Sequence, residues 1–284
     1  LVEKAPTDCF HRGLLIRISP LRYSVLTARD HFKHNGPRMK IGLVGFAGSG
    51  KTTVFNTMTG LDVPVGYGGD VRLGTVRVPD KRIDALTKIF LPKKKTYAEI
   101  SFCDVPGEHG SHKKGLSPRG LQQIRDQEAL CLVLQDFNNP ALEGAPDPLM
   151  DLESFHTECV FADLEIVEKR LDRARKERAD AHEIATFELA QANLEEERPL
   201  RLIPDADLDR SLIKGYGILS DRPLLVVVNR DEEHAADPLA GKLDTRIKEL
   251  GAAGLTLCAS IEADIAGMEP ADQEEFLADL GLKE

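Results

Sequence analysis

The sequence predicts an α/β fold with a mainly parallel sheet, and three patterns lead to this prediction. Short runs of β-branched and aliphatic residues, typical of buried strands, occur at 40–44, 129–134 and 224–228. A glycine-rich loop follows the first run and leads into a helical stretch. Between the second and third runs, a long segment repeats apolar residues at a helical spacing. We therefore expect a sheet domain with a helical hairpin inserted into it.

The glycine-rich loop matches G-x-x-x-x-G-K-[ST], the pattern of phosphate-binding loops (P-loops). Its backbone N–H groups can turn inward on a polyanion, and the N-terminus of the following helix adds partial positive charge. Lys51 can reach the β- and γ-phosphates of a nucleotide, and the Thr52 hydroxyl can bind Mg²⁺. A chance match is disfavoured because the loop lies between a strand and a helix. The residues expected to hold the phosphates are Gly45, Phe46, Ala47, Gly48, Ser49, Gly50, Lys51, Thr52 and Thr53.

A second phosphate-side element is the D-x-x-G sequence that begins at Asp104, after an apolar-alternating run at 98–103. Asp104 can hold Mg²⁺ directly or through water, and the Gly107 N–H can sense the γ-phosphate. Glu108 and His109 are candidates for orienting the attacking water; the alternative is that both lie in a switch segment without this role. The predicted catalytic residues are Lys51, Gly107 and Glu108, and the predicted metal ligands are Thr52 and Asp104.

Residues 61–70 predict a mobile loop at the place where nucleotide-sensing proteins supply a Thr to Mg²⁺. Thr75 follows in an alternating run, so we expect a strand residue and not a ligand. Asp80 then predicts the start of a helix. The three lysines at 93–95 are interpreted as a solvated turn, with an RNA contact as the alternative. The helix is expected to carry on one face the apolar residues Ile83, Leu86, Ile89 and Phe90.

Residues 151–215 differ from their surroundings, because apolar residues recur there at alternating spacings of four and three. The pattern breaks near 179–182, resumes, and ends at Pro199. It predicts an antiparallel coiled-coil hairpin whose charges form either a solvated face or a partner surface. The predicted organisation is a disordered extension over 1–38, a P-loop domain over 39–150 and 216–284, and the hairpin insertion over 151–215.

Residues 229–232 read N-R-D-E, where GTPases commonly carry N-K-x-D. In that motif the Asn braces the loop and the Asp accepts hydrogen bonds from the guanine N1–H and 2-amino groups. Glu232 stands in place of this Asp, so the guanine reader is altered. A last strand is predicted over 255–260, and the turn at 259–261 is predicted where a base-contacting loop would lie. The predicted base-side residues are Asn229, Glu232 and Ser260.

The composition describes a globular protein that binds neither membrane nor DNA. The 284 residues are 42% hydrophobic and 30% charged, with a net charge of −10 that argues against non-specific nucleic-acid binding by the whole surface. No apolar run approaches the ~20 residues of a membrane span. The five cysteines include no C-x-x-C pair, which predicts a reduced cytoplasmic protein.

Residues 1–38 carry scattered arginines without a sustained period, and Met39 directly precedes the first strand. We interpret this stretch as a poorly ordered extension made from translated upstream sequence. A transit peptide is the alternative, which the acidic residues Glu3, Asp8 and Asp30 disfavour.

The motifs together resemble those of the YchF/Obg-like ATPase family, in the family's order and over nearly all of 39–284. The resemblance implies a nucleotide domain with a coiled-coil insertion, ATP accepted as well as or better than GTP, and an association with ribosomes or ribosomal RNA. The matching stretches are the P-loop and residues 78–84, 104–107, 162–171, 229–232, 258–265 and 275–282.

The sequence departs from the family at four places. The family's C-terminal TGS domain is expected just after Glu284, so we interpret the chain as a fragment or a truncated member. Gly48 stands where the family usually has an Asn linked to bound potassium, so potassium stimulation is not expected. Glycine near Gly68 replaces the switch Thr, and Glu108 replaces a hydrophobic residue. Hydrolysis is therefore expected to use different switch chemistry or to be very slow.

These features predict a cytoplasmic, Mg²⁺-dependent switch that hydrolyses ATP or GTP at a slow intrinsic rate by in-line attack of water. The alternative is a nucleotide-gated or nucleotide-free scaffold that recruits a partner through the hairpin. A metabolic kinase is disfavoured, because the sequence has no signature of a second substrate pocket or of an Arg-rich lid.

Overall fold

The computed structural model describes residues 39–64, 71–105, 118–142, 144–269, 272–273 and 276. Some of the predictions fall outside these residues. They are the extension over 1–38, the switch positions near Gly68, and the candidates Gly107, Glu108 and His109.

The described residues form a six-stranded sheet in the order β2-β3-β1-β4-β5-β6. All neighbouring strands pair in parallel except β2, which runs antiparallel to β3 at the edge. This arrangement confirms the predicted α/β fold with a mainly parallel sheet. The strands are β1 (Met39–Val44), β2 (Arg72–Val78), β3 (Ala98–Asp104), β4 (Ala129–Asp136), β5 (Leu224–Arg230) and β6 (Ala253–Leu257).

Several helices begin after an Asp that accepts a hydrogen bond from a backbone N–H of the first turn, as Asp80, Asp147, Asp180 and Asp209 do. Two short 3₁₀ helices cover Leu200–Leu202 and Lys214–Tyr216. The α-helices whose bounds lie within the described residues are α1 (Lys51–Thr59), α2 (Lys81–Phe90), α3 (Pro118–Arg125), α4 (Pro148–Glu177), α5 (Ala181–Glu195), α6 (Arg210–Ile213), α7 (Gly241–Glu249) and α8 (Ala259–Ala266).

Both faces of the sheet are buried, and β4 shows this directly. Leu130, Leu132 and Leu134 pack in the core on one face, while Cys131 and Val133 pack in the core on the other. Side chains alternate between the faces of a strand, so a central strand of this kind must be apolar throughout. The burial explains why the sequence of β4 is a continuous apolar run.

Helices α4 and α5 form an antiparallel pair joined by a short turn, in which Arg178 adopts a left-handed conformation at φ 57°. A core of their own includes Val167 and Leu171 of α4 and Phe187 and Leu194 of α5. The first turns of α4 behave differently, because Leu152, Phe155 and Cys159 pack with the sheet. The division at residue 151 stays a prediction, and this packing favours a start of the insertion after Cys159.

The predicted last strand over 255–260 is wrong at its end. Strand β6 ends at Leu257, and Ala259 begins α8. The helix begins this early because the Ala259 N–H donates to Asn229 Oδ1, while the Glu262 N–H donates to the Cys258 carbonyl. Ser260 therefore lies in the first turn of a helix and not in a loop.

Two expectations from composition can be compared with the described residues. The four cysteines among them are buried and make no disulfide: Cys103, Cys131, Cys159 and Cys258. None of the helices in the described part of the chain is long and apolar enough to cross a bilayer.

Candidate nucleotide site

The P-loop connects the carboxyl end of β1, a strand in the middle of the sheet, to α1. Its glycines at 45, 48 and 50 all have a positive φ, and two of them show why glycine is favoured there. Gly45 has φ 142°, and a Cβ there would lie 2.4 Å from the Val133 carbonyl oxygen. Gly50 has φ 87°, and a Cβ there would lie 2.2 Å from Asn229 Nδ2. Because both values lie in the left-handed region, other residues would strain the loop.

Lys51 is the first residue of α1, and its ammonium lies inside the curve of the loop. Its Nζ donates to the carbonyl oxygens of Gly45 (2.8 Å) and Phe46 (3.0 Å), and the residue is only 6% exposed. Burial lowers the pKa of Lys51 to about 8, and the nearby Asp104 opposes this shift. A buried ammonium within a glycine-rich loop at the N-terminus of a helix favours a bound polyanion such as a triphosphate.

Thr52 and Asp104 lie together at the mouth of the loop. Thr52 Oγ1 donates to Asp104 Oδ2 at 3.2 Å, and Arg72 approaches the same oxygen at 3.7 Å. The other carboxylate oxygen, Oδ1, is buried and has no hydrogen-bond partner. Burial raises the pKa of Asp104, while Lys51, Thr52 and Arg72 oppose the shift. An unpartnered buried carboxylate oxygen is costly unless a cation or a water binds it.

These donors fit Mg²⁺. A hydroxyl and a carboxylate are the hard oxygen ligands that Mg²⁺ prefers, and it usually takes only one or two protein ligands beside phosphates and water. Within the described ranges, no group of three or more His, Cys, Asp or Glu side chains could hold a metal by itself. A metal at Thr52 and Asp104 would therefore be shared with a bound nucleotide.

Asn229 joins three elements through its side chain. Its Nδ2 donates to the Ser49 carbonyl in the P-loop at 3.0 Å, and its Oδ1 accepts from the Ala259 N–H of α8 at 2.9 Å. The residue is 4% exposed, so water does not compete for these bonds. Asn229 thus holds the P-loop against β5 and α8.

The other base-side candidates are less constrained. Glu232 is exposed, and its carbonyl accepts from the Ala235 N–H in a turn. Ser260 is exposed in α8, with its Oγ 3.1 Å from Cys258 Sγ. The Arg230 guanidinium bonds Asp136 Oδ2 and the Asp237 carbonyl, both at 2.9 Å, and so lies against the end of β4.

The structure thus brings the predicted residues 45–53 together with Asp104 and Asn229 at the carboxyl edge of the sheet. Sequence reasoning missed Asn139, whose Nδ2 donates to the Gly48 carbonyl at 3.3 Å. It also missed Leu142, which packs against the loop so closely that a Cβ at Gly48 would lie 2.7 Å from Leu142 Cδ1. No local sequence pattern indicates these contacts, because they depend on the pairing of β4 with β1, which places the chain after β4 beside the P-loop.

Comparisons with known proteins extend this description. Over 261 residues the chain is 32% identical to the ribosome-binding ATPase YchF of Bacillus subtilis, a match that covers 86% of this chain and 71% of the relative. It is 30% identical over 264 residues to the protein of the same name from Haemophilus ducreyi, covering 86% and 72%. The chain belongs to the YchF family.

Two further matches agree with membership of the YchF family. The family model described as "50S ribosome-binding GTPase" matches residues 40–168. The structure is similar to that of the Schizosaccharomyces pombe YchF GTPase, with a TM-score of 0.72 and 25% identity over 87% of this chain and 72% of that one. The chain is therefore a P-loop nucleoside triphosphatase of the YchF family.

Proposed function

We propose that the chain is a cytoplasmic, Mg²⁺-dependent nucleotide switch that hydrolyses ATP, GTP or both and works with the ribosome. The observation that carries the proposal is the buried Lys51 ammonium inside the P-loop, next to the Thr52–Asp104 pair with its unpartnered oxygen. The ribosomal part is supported by the curated relatives, which are named ribosome-binding ATPases.

In this proposal each residue at the site has a distinct task. The loop amides from Gly45 to Gly50 and the Lys51 ammonium bind the phosphates, while Thr52 and Asp104 hold the metal. Bound Mg²⁺ would neutralise charge on the β- and γ-phosphates. Gly107 and Glu108 stay predictions as the γ-phosphate sensor and the residue that orients water, and both lie outside the described residues.

The base preference follows from the region around Glu232. The exposed Glu232 side chain is one methylene longer than the Asp of N-K-x-D. The Arg230 guanidinium is engaged by Asp136 Oδ2 and the Asp237 carbonyl. We propose that ATP is accepted at least as well as GTP. The alternative function is a scaffold with little hydrolysis, which the solvent-exposed outer faces of α4 and α5 favour as a partner surface.

Binding of ATP and GTP should be measured side by side by calorimetry with Mg²⁺, on the wild type and on Lys51→Ala. The exposed Lys88→Ala is the matched control, since it removes a lysine far from the loop. We expect Lys51→Ala to abolish binding of both nucleotides and Lys88→Ala to leave it unchanged. Unchanged affinity in Lys51→Ala would disprove the site.

Single-turnover hydrolysis then separates the two functions. Slow phosphate release from bound triphosphate supports the switch, whereas tight binding without any release supports the scaffold. A strong preference for GTP over ATP would contradict the proposed role of Glu232.

A further inference from the structure

Helix α2 exposes apolar side chains instead of burying them. Ile89 is 70% exposed, Phe90 74% and Leu91 81%. With Leu86, these residues make up four of the eight large apolar side chains that are exposed among the described residues. No residue of α2 is buried, so the sheet does not use the apolar face that the sequence predicts. A contiguous exposed apolar patch of this kind is typical of an interaction surface.

Two of these exposed side chains, Leu86 and Phe90, line a shallow groove of about 350 Å³. Ile83, Leu86 and Phe90 lie on one face of the helix at positions i, i+3 and i+7 and line the groove. The turn after the helix contributes Pro92, Lys94 and Lys95 to the lining. The groove is thus lined by apolar side chains of the helix and by lysines of the turn.

The charge of this region is opposite to that of the whole protein. Residues 81–95 contain six Lys or Arg and a single Asp, in a chain of net charge −10. The single Asp, Asp84, is paired with Lys95 at 2.6 Å. In the part of the chain that the structure describes, Lys88, Lys93 and Lys94 make no ion pair within 4.0 Å. Lys94 lines the groove, and Lys88 and Lys93 are adjacent in sequence to residues that line it, so all three are available to an external anion.

Local contacts hold the groove in shape. The Asp80 side chain accepts from the Arg82 N–H at 2.8 Å and fixes the start of α2. At the other end, Tyr97 Oη donates to Asp84, and the Lys95 ammonium lies 4.6 Å from the centre of the Tyr97 ring. A preformed groove lowers the ordering cost that a partner has to overcome.

We infer that the groove and its three lysines, which we call the α2 surface, form a docking site for an acidic protein segment that carries aliphatic or aromatic side chains. The apolar lining accepts an inserted apolar side chain, and the lysines attract flanking carboxylates. RNA is a poorer match, because among the exposed apolar side chains of this region only Phe90 is an aromatic ring on which a base could stack. A flat bilayer surface would not enter the concave groove.

The α2 surface is separate from the nucleotide site. Strand β2 runs antiparallel to β3, from Arg72 opposite Asp104 to Val78 opposite Ala98. Helix α2 therefore begins at the edge of the sheet that is opposite the P-loop. The inference does not depend on the proposed hydrolysis, and a failure of one leaves the other standing.

Two displayed libraries of short peptides test the inference on the full chain. One library combines Asp and Glu with Leu, Ile and Phe, and the other replaces the acidic residues by Lys and Arg. Binding is compared for the wild type, an Ile89→Ser/Phe90→Ser variant, and a Lys88→Glu/Lys93→Glu/Lys94→Glu variant. Phe161→Ser is the matched control, because Phe161 is exposed on α4. Nucleotide affinity and the unfolding midpoint check that each variant is folded.

We expect the acidic library to be enriched on the wild type and on Phe161→Ser, with affinity of the selected peptides reduced about tenfold or more in both α2 variants. The same peptides should bind more weakly as salt is added. No enrichment, equal enrichment of the basic library, or binding that the α2 variants retain would overturn the inference. The inference would also be overturned if no acidic peptide bound and the α2 surface served another partner. That partner would be an RNA hairpin, an anionic vesicle or a second copy of the chain, and its binding would be lost in the α2 variants.

Discussion

At the scale of the residue, the close approach of Gly50 and Asn229 limits which substitutions the P-loop accepts. Gly50 needs a left-handed backbone, and the space where its Cβ would be is occupied by the Asn229 amide. The same amide donates to the Ser49 carbonyl, so the glycine and the asparagine are matched to each other. A change at either residue is expected to alter the shape of the loop that receives the phosphates.

Gly50→Ala is therefore expected to weaken nucleotide binding by about tenfold or more, because the new Cβ displaces Asn229 and strains the loop. Calorimetry with ATP and Mg²⁺ measures the effect. Gly60→Ala is the control, since Gly60 also has a left-handed φ of 67°, but no atom lies within 4 Å of the place that its Cβ would take. It should cost about 1 kcal/mol of stability and leave affinity unchanged. Equal losses of affinity in both variants would contradict the argument.

Asp163 is a second residue whose contacts reach across the molecule. It is fully buried, pairs with Arg125 at 3.1 Å, and accepts from the Leu219 and Ser220 N–H groups at 3.0 and 2.6 Å. Arg125 in turn donates to the Gly217 carbonyl at 2.8 Å. One carboxylate thus connects α3, α4 and the segment that leads into β5.

Asp163→Ala should lower the free energy of unfolding by about 3 to 5 kcal/mol, because it leaves a buried guanidinium and two N–H groups without their acceptor. Urea denaturation followed by circular dichroism provides the measurement. Glu165→Ala removes an exposed carboxylate two residues away and should have little effect. A loss for Asp163→Ala no larger than that for Glu165→Ala would show that the network is not stabilising.

At the scale of the element, α4 is anchored to the end of α5 by a histidine. His156 is 5% exposed, and its Nε2–H donates to the Glu197 carbonyl at 2.8 Å. Burial lowers the pKa of His156, the hydrogen bond to Glu197 opposes this, and the charges of Arg201 and Arg246 lower it further. The folded protein therefore keeps this ring neutral at a pH where the unfolded chain would already protonate it.

The pH dependence of stability follows from this difference. Below the ordinary value of 6.5 the unfolded state binds a proton at His156 that the folded state does not, so stability should fall as the pH drops below about 6.5. Urea midpoints of the wild type and His156→Gln at several pH values on both sides of 6.5 test the prediction. The variant should show a shallower loss. The difference between the two proteins cancels the contribution of other titrating groups such as His234, whose pKa is raised by its hydrogen bond with Asp231. Parallel curves would contradict the prediction.

At the scale of the whole molecule, the parts that local sequence determines could be predicted. The strand, glycine loop and helix around Lys51 are contiguous, and the apolar run of β4 reports burial on both faces. Features that depend on contacts between distant parts of the chain were not predicted. Ser260 was placed in a turn because the bond from Ala259 to Asn229 is not visible in the local pattern.

Two other differences have the same origin. Asn139 reaches Gly48 only because β4 pairs with β1. The apolar periodicity of α2 correctly predicts a helix, but periodicity alone does not show whether the sheet or another surface covers the apolar face. Sequence patterns therefore predict elements and their faces better than they predict what each face contacts.

The link between Ser49 and Asn229 also has a consequence for the order in which the protein is made. The two residues are 180 positions apart, and Asn229 is itself fixed by Ala259. During synthesis, the P-loop leaves the ribosome long before β5 and α8 exist, and contacts between such distant segments form late in folding. The loop that binds the nucleotide is thus among the first parts of the domain to be translated and among the last to be completed. A nascent chain would gain its affinity for nucleotide only after almost the whole domain has emerged.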